Sequence, residues 1–235
     1  MFRRLLFPLI FPQLLWAEPF NFPSNMTIND ISTVVQSFTT GFLTRTPLSL
    51  LGQDKYKTQV GLEVITISVD KVSKLGSGSS NKDIQFQELS LSKRLPLDVE
   101  MGFQSSLPIM DRDVNAYGGY IRWAYEVYPW GSLSLLAHGA SAQYKNILGA
   151  NLYGAALNLD FIWQDFSISF GTGFVRSTNT FEPQLFGGTG PFITYGRQYA
   201  HQTVKISYLM KEFAISAQAD WLKAFYGSFM LGYFF

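Results

Sequence analysis

Phe225-Tyr226-Gly227-Ser228-Phe229-Met230-Leu231-Gly232-Tyr233-Phe234-Phe235 closes the chain, and its alternation decides the fold. Phe225, Gly227, Phe229, Leu231, Tyr233 and Phe235 share one face, and Tyr226, Ser228, Met230, Gly232 and Phe234 share the other. A period of two is the mark of a strand. This one is as long as a tilted strand must be to cross a bilayer, and its first face carries nothing polar. It reads as a lipid-facing transmembrane strand. The fold it implies is all-β, a closed antiparallel barrel in a bacterial outer membrane.

The same period runs upstream. Tyr153, Ala155, Leu157, Leu159, Phe161 and Trp163 stand against Gly154, Ala156, Asn158 and Asp160. Phe166, Ile168, Phe170, Thr172 and Phe174 stand against Ser167, Ser169, Gly171 and Gly173. Ile121, Trp123, Tyr125 and Val127 oppose Tyr120, Arg122, Ala124 and Glu126, and 213–221 and 97–103 behave alike. A soluble sandwich also alternates, but its strands usually have about 5 or 6 residues, against about 10 to 13 here. Aromatics gather at strand ends, with Trp163, Phe166, Phe213 and Tyr128 at one set of turns. Phe103, Tyr117, Phe174 and Trp221 sit at the other, as two interfacial girdles would.

Connection lengths give the strand count. Strands over 58–69, 85–95, 97–105, 115–127, 132–143, 151–162, 166–175, 200–210, 213–221 and 225–235 make ten. Eight or twelve stay compatible, because the first two segments alternate less cleanly. Tight turns fall at Pro96, Tyr128 to Gly131, Trp163 to Asp165, and Lys211 with Glu212. Long connections fall at 70–84, 106–114, 144–150 and 176–199, with Leu222 to Ala224 the one short exception. Such barrels have short periplasmic turns and longer outer loops.

Composition agrees. Hydrophobic residues make up 47% and charged residues 15%, against about 25% charged in a typical soluble domain. Arg3, Arg4 and the apolar stretch Leu5 to Leu15 form an export signal, with maturation expected after Ala17. Without those arginines the net charge moves from +1 to −1, which carries no nucleic-acid footprint. The domain plan is therefore a signal over 1–17, an N-terminal segment over 18–57 and a transmembrane barrel over 58–235. In the middle segment Ile28, Ile31, Val35, Phe38 and Phe42 follow helical spacing. Asn29 or Asp30 would cap that helix, and Gly41 and Pro47 would end it. It is a lumen plug, a periplasmic segment under the barrel mouth, or an extra strand.

From Ser228 to Phe235 the chain resembles the β-signal read by the outer-membrane insertion machinery: polar, any, Gly, any, any, aromatic, any, aromatic. Ser228, Tyr233 and Phe235 fit, and Met230 stands where Gly is usual. The resemblance implies that this machinery is a partner during assembly, with outer-membrane lipids as the surroundings. The layout is similar to small Gram-negative outer-membrane barrels of unknown activity, including exported barrels with a stretch like 95–103. A plug would resemble the N-terminal hatch of long-chain fatty-acid transporters.

Glu63, Glu88, Asp98, Glu100, Arg122, Glu126, Asp160, Lys205 and Asp220 are the expected inward charges, seven carboxylates against two cations. They read as a network filling a narrow lumen, or as a cation-preferring pathway. Phe181, Leu185, Phe186, Phe192 and Tyr195, in the longest loop, form a binding surface or fold over the barrel as a lid. The loop from Asp70 to Asp83 reads as flexible, polar and external. The only histidines are His138, on the lumen face, and His201, where the longest loop meets its strand. No spacing ties either to Ser141, Asp111, Asp113 or Asp165. With no Cys and two separated His, neither cofactor nor metal is expected.

Three functions compete. The first is a non-enzymatic barrel with a structural, surface-contact or narrow-pore role. The second is a transporter of a small hydrophobic ligand with an N-terminal plug. The third is a rim-active membrane hydrolase, motivated by the two histidines alone. Oligomeric state is not written in the sequence.

Overall fold

The structure, a computed structural model, describes residues 20–42, 58–80, 82–107, 114–222 and 225–235. Ten strands form one closed barrel: β1 (Thr58–Ser68), β2 (Asp83–Arg94), β3 (Val99–Leu107), β4 (Val114–Tyr128), β5 (Gly131–Tyr144), β6 (Leu148–Trp163), β7 (Phe166–Phe181), β8 (Ile193–Met210), β9 (Phe213–Trp221) and β10 (Phe225–Phe234). Each strand pairs antiparallel with its neighbours in the chain. β1 meets β10 in a register running from Gln59 opposite Phe234 to Ile67 opposite Tyr226. Closure satisfies the backbone groups that an open edge would leave bare in hydrocarbon, where each costs several kcal/mol.

The alternation sorts the two faces. Ile121, Trp123, Tyr125, Leu135, Leu157, Leu159, Phe161, Phe170, Ile206 and Phe229 lie exposed on the outside, a continuous apolar belt. Tyr128, Trp163 and Phe213 mark its tight-turn edge, and Phe103, Tyr117, Phe174 and Trp221 its long-loop edge. A belt of this extent has no place in water. In β10, Ser228, Met230 and Phe234 point inward while Phe229, Tyr233 and Phe235 point outward.

The tight turns are Pro129–Trp130, Gln164–Asp165, Lys211–Glu212 and the segment 95–98. Gln164 and Lys211 take the left-handed φ values of 54° and 56° that two-residue hairpins require. By the loop-length rule this end faces the periplasm. β3 starts two residues later than expected, because Pro96–Asp98 forms a 3-10 turn with Leu97 at φ 65° and Asp98 at φ 58°.

A larger difference lies at 176–199, which reads as a loop in the sequence. β7 continues to Phe181 and β8 begins at Ile193, so the true loop is 182–192. The added rungs pair Ser177 with Arg197 and Asn179 with Tyr195. Their outward positions, among them Thr178, Thr180 and Gln198, are polar, so this hairpin stands above the hydrocarbon. The loop 70–83 is also more ordered than its composition suggests. It carries a one-turn helix α2 (Asp70–Ser73), and Val69 and Val72 are wholly buried.

The N-terminal segment holds an eleven-residue helix, α1 (Ile31–Gly41), entered through a 3-10 turn over Ile28–Asp30. Its cap is Thr27, not Asn29 or Asp30. The Asp30 carboxylate reaches back to accept from the Thr27 N–H and hydroxyl, both at 2.8 Å. Ile31, Val34, Val35, Phe38 and Phe42 are buried, whereas Ile28 is exposed. The helix ends at Gly41. A Cβ there would lie 2.0 Å from Ile67 Cδ1, so the glycine lets the helix press closely on the Ile67 side chain of β1.

Candidate functional site in the barrel lumen

The lumen has two storeys. Toward the long loops its wall is apolar: Ile65, Ile67, Ile84, Phe86, Val114, Ala116, Ala142, Tyr144, Leu148, Ala150, Leu152, Val175, Phe181, Tyr199 and Tyr226 face α1 and the segment before it in one buried cluster. Aromatic rings link plug and wall. Phe22 stacks on Phe38 at 5.2 Å between centroids and meets Tyr144 at 5.9 Å, and Phe42 meets Phe86 at 5.8 Å. Each buried Phe contributes on the order of 1.5–3 kcal/mol of hydrophobic stabilisation. Polar ties also fix this segment. Tyr144 donates its hydroxyl to the Phe20 carbonyl, Gln36 Nε2 to the Leu222 carbonyl at 3.4 Å, and Met26 N to the Leu185 carbonyl at 2.9 Å. Ser24 N donates to Ser77 Oγ at 2.9 Å. The N-terminal helix therefore packs inside the long-loop half of the barrel.

Toward the tight turns the lumen is polar. Asp160 on β6 accepts from Arg122 on β4, from Ser132 and Ser134 at 3.2 and 3.3 Å, and from Ser169 on β7. Arg122 also lies 3.5 Å from Glu100, whose other oxygen accepts from the Tyr120 hydroxyl at 2.8 Å. Lys205 couples electrostatically to Glu63, Glu100 and Asp220. Two serines on β5 and one on β7 flank Asp160 because the small inward residues leave room for the guanidinium. The pair is buried, so its charges must satisfy one another, and removing either alone is costly.

At mid-height one register row crosses four strands: Asn158, Gly171, Thr203 and Asp220. Gly171 leaves no side chain between its neighbours, and Asn158 and Thr203 meet over it. Asp220 accepts from Gln218 Nε2 at 2.8 Å and faces His201 Nε2 at 2.8 Å. His138 lies 6.3 Å from His201 between ring centroids.

Seven of the nine expected inward charges are buried here: Glu63, Glu88, Glu100, Arg122, Asp160, Lys205 and Asp220. Asp98 and Glu126 are not. Asp98 sits half-exposed in the first tight turn, and Glu126 lies on the inward face but past the last β3 rung, exposed at the rim. Between them lies a cation absent from the expected set: Arg94, buried, 2.7 Å from Asp98 and 3.8 Å from Glu126. Its signal was its place two residues after Ser92 on the inward face of β2. Among the described residues the buried charges are thus five carboxylates and three cations.

The loop residues divide too. Phe181 and Leu185 are buried on the plug, and Phe186 and Tyr195 pack partly against the same cluster; Phe192 alone is fully outward. Four of the five thus pack inward, and Phe192 is exposed. Neither histidine is at the rim: both are buried at mid-lumen. Ser141 lies on the outward side of β5 and Asp165 in a tight turn, away from both. Asp111 and Asp113, Lys223 and Ala224, and the maturation site at Ala17 lie outside the described residues. No His, Asp or Glu cluster that could hold a metal occurs among the described residues.

A closed barrel with an apolar belt, two aromatic girdles and a filled lumen defines the class: a bacterial outer-membrane β-barrel. No family model matches the chain, and no curated protein matches it. Among solved structures it is similar to the outer membrane protease OmpT from Escherichia coli, with 11% identity, a TM-score of 0.44, and coverage of 83% of this chain and 100% of that one. It is similar to the KdgM porin in complex with disordered oligogalacturonate, with 12% identity, a TM-score of 0.40, and coverage of 75% and 98%. It is also similar to Ail, the attachment invasion locus protein of Yersinia pestis, with 13% identity, a TM-score of 0.33, and coverage of 77% and 100%. A protease, a porin and an attachment protein at such distances share a barrel layout with this chain and lend it no function.

Proposed function

We propose that the protein takes up a small hydrophobic ligand into the long-loop half of its lumen, which α1 plugs at rest. One observation carries this reading. The wall of that half is apolar over most strands, where a water-filled pore would be polar, so it suits an apolar occupant. The plug and the ion-paired lower storey together argue against a resting open pore. The test is native mass spectrometry of the barrel after gentle detergent extraction, with planar-bilayer recording beside it. A retained lipid-like adduct and a silent bilayer support the reading. Repeatedly empty spectra, or steady conductance from the intact protein, contradict it.

A structural or surface-contact barrel is the second reading. The ring contacts between plug and wall favour it, because α1 already fills the chamber. Empty spectra with a silent bilayer would select it. Both readings are non-enzymatic. For assembly, we propose that Ser228, Tyr233 and Phe235 act as the insertion signal, with the outward aromatics Tyr233 and Phe235 accessible to the machinery.

A further inference from the structure

One part of the apolar storey is not apolar. On the inward face at the top of β7 and β8, Ser177 stands opposite Arg197, Val175 opposite Tyr199, and Asn179 opposite Tyr195. Ser177, Asn179 and Tyr199 are buried. Asn179 Nδ2 donates to Ser177 Oγ at 3.0 Å, which leaves Asn179 Oδ1 without a partner among the described residues. The Tyr199 hydroxyl likewise has none. Around them the wall is Val175, Leu152, Ala150 and Phe181.

Two buried polar atoms without partners cost on the order of 1–3 kcal/mol each. In an apolar pocket a few such groups fix the orientation of a ligand that does pair with them. The cation above them says which kind. Arg197 is exposed, its guanidinium carbon 5.8 Å from the centre of the Tyr199 ring, and it donates to the Tyr195 hydroxyl at 3.4 Å. A guanidinium spends only part of its donor fork on one phenol and matches a planar anion with the rest. The Tyr199 hydroxyl adds a donor. Asn179 adds another if its amide turns, since the two orientations are interchangeable in assignment.

We propose that Arg197, Tyr199 and Asn179 hold the head group of an amphiphile with one hydrocarbon chain and one negative charge, its chain lying in the space that α1 occupies at rest. This rests on the ligand-uptake reading and adds the polarity and place of the head. Dodecanoate and dodecylammonium share a chain and differ in head charge. Native mass spectrometry of the full-length barrel, titrated with each below its micelle concentration, reads both affinities. The wild type should bind dodecanoate about tenfold more tightly than dodecylammonium, the scale of one charge-assisted contact. Arg197→Gln should erase that preference with dodecylammonium unchanged, and Tyr199→Phe should reduce it. Equal binding of both probes by the wild type, or a preference that survives Arg197→Gln, overturns the head-group assignment while ligand uptake stands. Binding of neither probe overturns both.

Discussion

The Tyr144 hydroxyl, at the end of β5, donates to the backbone carbonyl of Phe20, 124 positions away in sequence. The phenol is wholly buried, and its ring also packs on Phe22 and Phe38. One side chain of the wall thus grips the plug by a hydrogen bond and by ring contact. Tyr144→Phe keeps the ring and removes the bond, at a cost of about 1 kcal/mol to plug docking. Limited proteolysis of the intact barrel should then cut the N-terminal segment about five times faster. An unchanged rate would mean that the hydroxyl does not hold the plug.

Phe38 is the centre of the aromatic cluster, meeting Phe20, Phe22, Phe42 and Tyr144. Phe38→Ala should weaken docking by about 3–5 kcal/mol, the usual range for a buried Phe. The barrel wall does not depend on it. Boiling-dependent gel mobility should therefore stay normal while limited proteolysis cuts the N-terminal segment faster than in the wild type. Loss of the folded band would place Phe38 in the barrel's own stability instead.

Arg122 is shared by Asp160 and Glu100 inside the polar storey. Arg122→Met leaves both carboxylates buried without their cation and should cost about 3–5 kcal/mol. The temperature at which the folded band converts on heating should fall clearly. Asp98→Asn, at the half-exposed rim, should shift it less, since Asp98 is partly solvated and Glu126 still faces Arg94. Equal shifts would show that the buried network is no more than another surface pair.

Met230 departs from the insertion-signal pattern, and the lumen explains it. Its sulfur lies 3.0 Å from where a Cβ on Gly61 would be, and Ser90 is 3.8 Å from it. Met230 fills the space that Gly61 leaves. Met230→Gly would improve the match to the pattern yet open a cavity, at about 2–5 kcal/mol by analogy with Met→Ala. Folded protein in the membrane should decrease. An increase would mean that recognition of the signal, not packing, limits assembly.

Much of this architecture is legible in the residues because lipid enforces it. Strands such as 151–163 and 166–175 must alternate strictly when one face meets hydrocarbon, so their inward residues could be named one by one. Legibility fails where that pressure ends. Ser177 and Asn179 lie above the membrane, where outward residues are polar as well, so the strand there looks like loop. Asp98 and Glu126 sit at the other edge, where facing inward no longer means being enclosed. The helical period of Ile31 to Phe42 is visible, but its partner is the inside of ten strands far apart in sequence, and no local pattern reports that. The two-storey lumen has the same origin. Each inward residue is readable, but its height depends on the stagger of every pairing.

α1 lies inside the barrel against β1. Gly41 and Ile67 test it most directly, because a Cβ on Gly41 would stand 3.2 Å from the Ile67 Cβ, close to the separation of about 3.5–4.5 Å in disulfides. The chain has no cysteine of its own, so a Gly41→Cys, Ile67→Cys double variant carries the only two thiols. Under mild oxidation, membrane-embedded folded barrel should form the intramolecular disulfide in most molecules, with neither thiol open to maleimide. A barrel that folds normally with both thiols still free and labelled would show that the helix is not in the lumen.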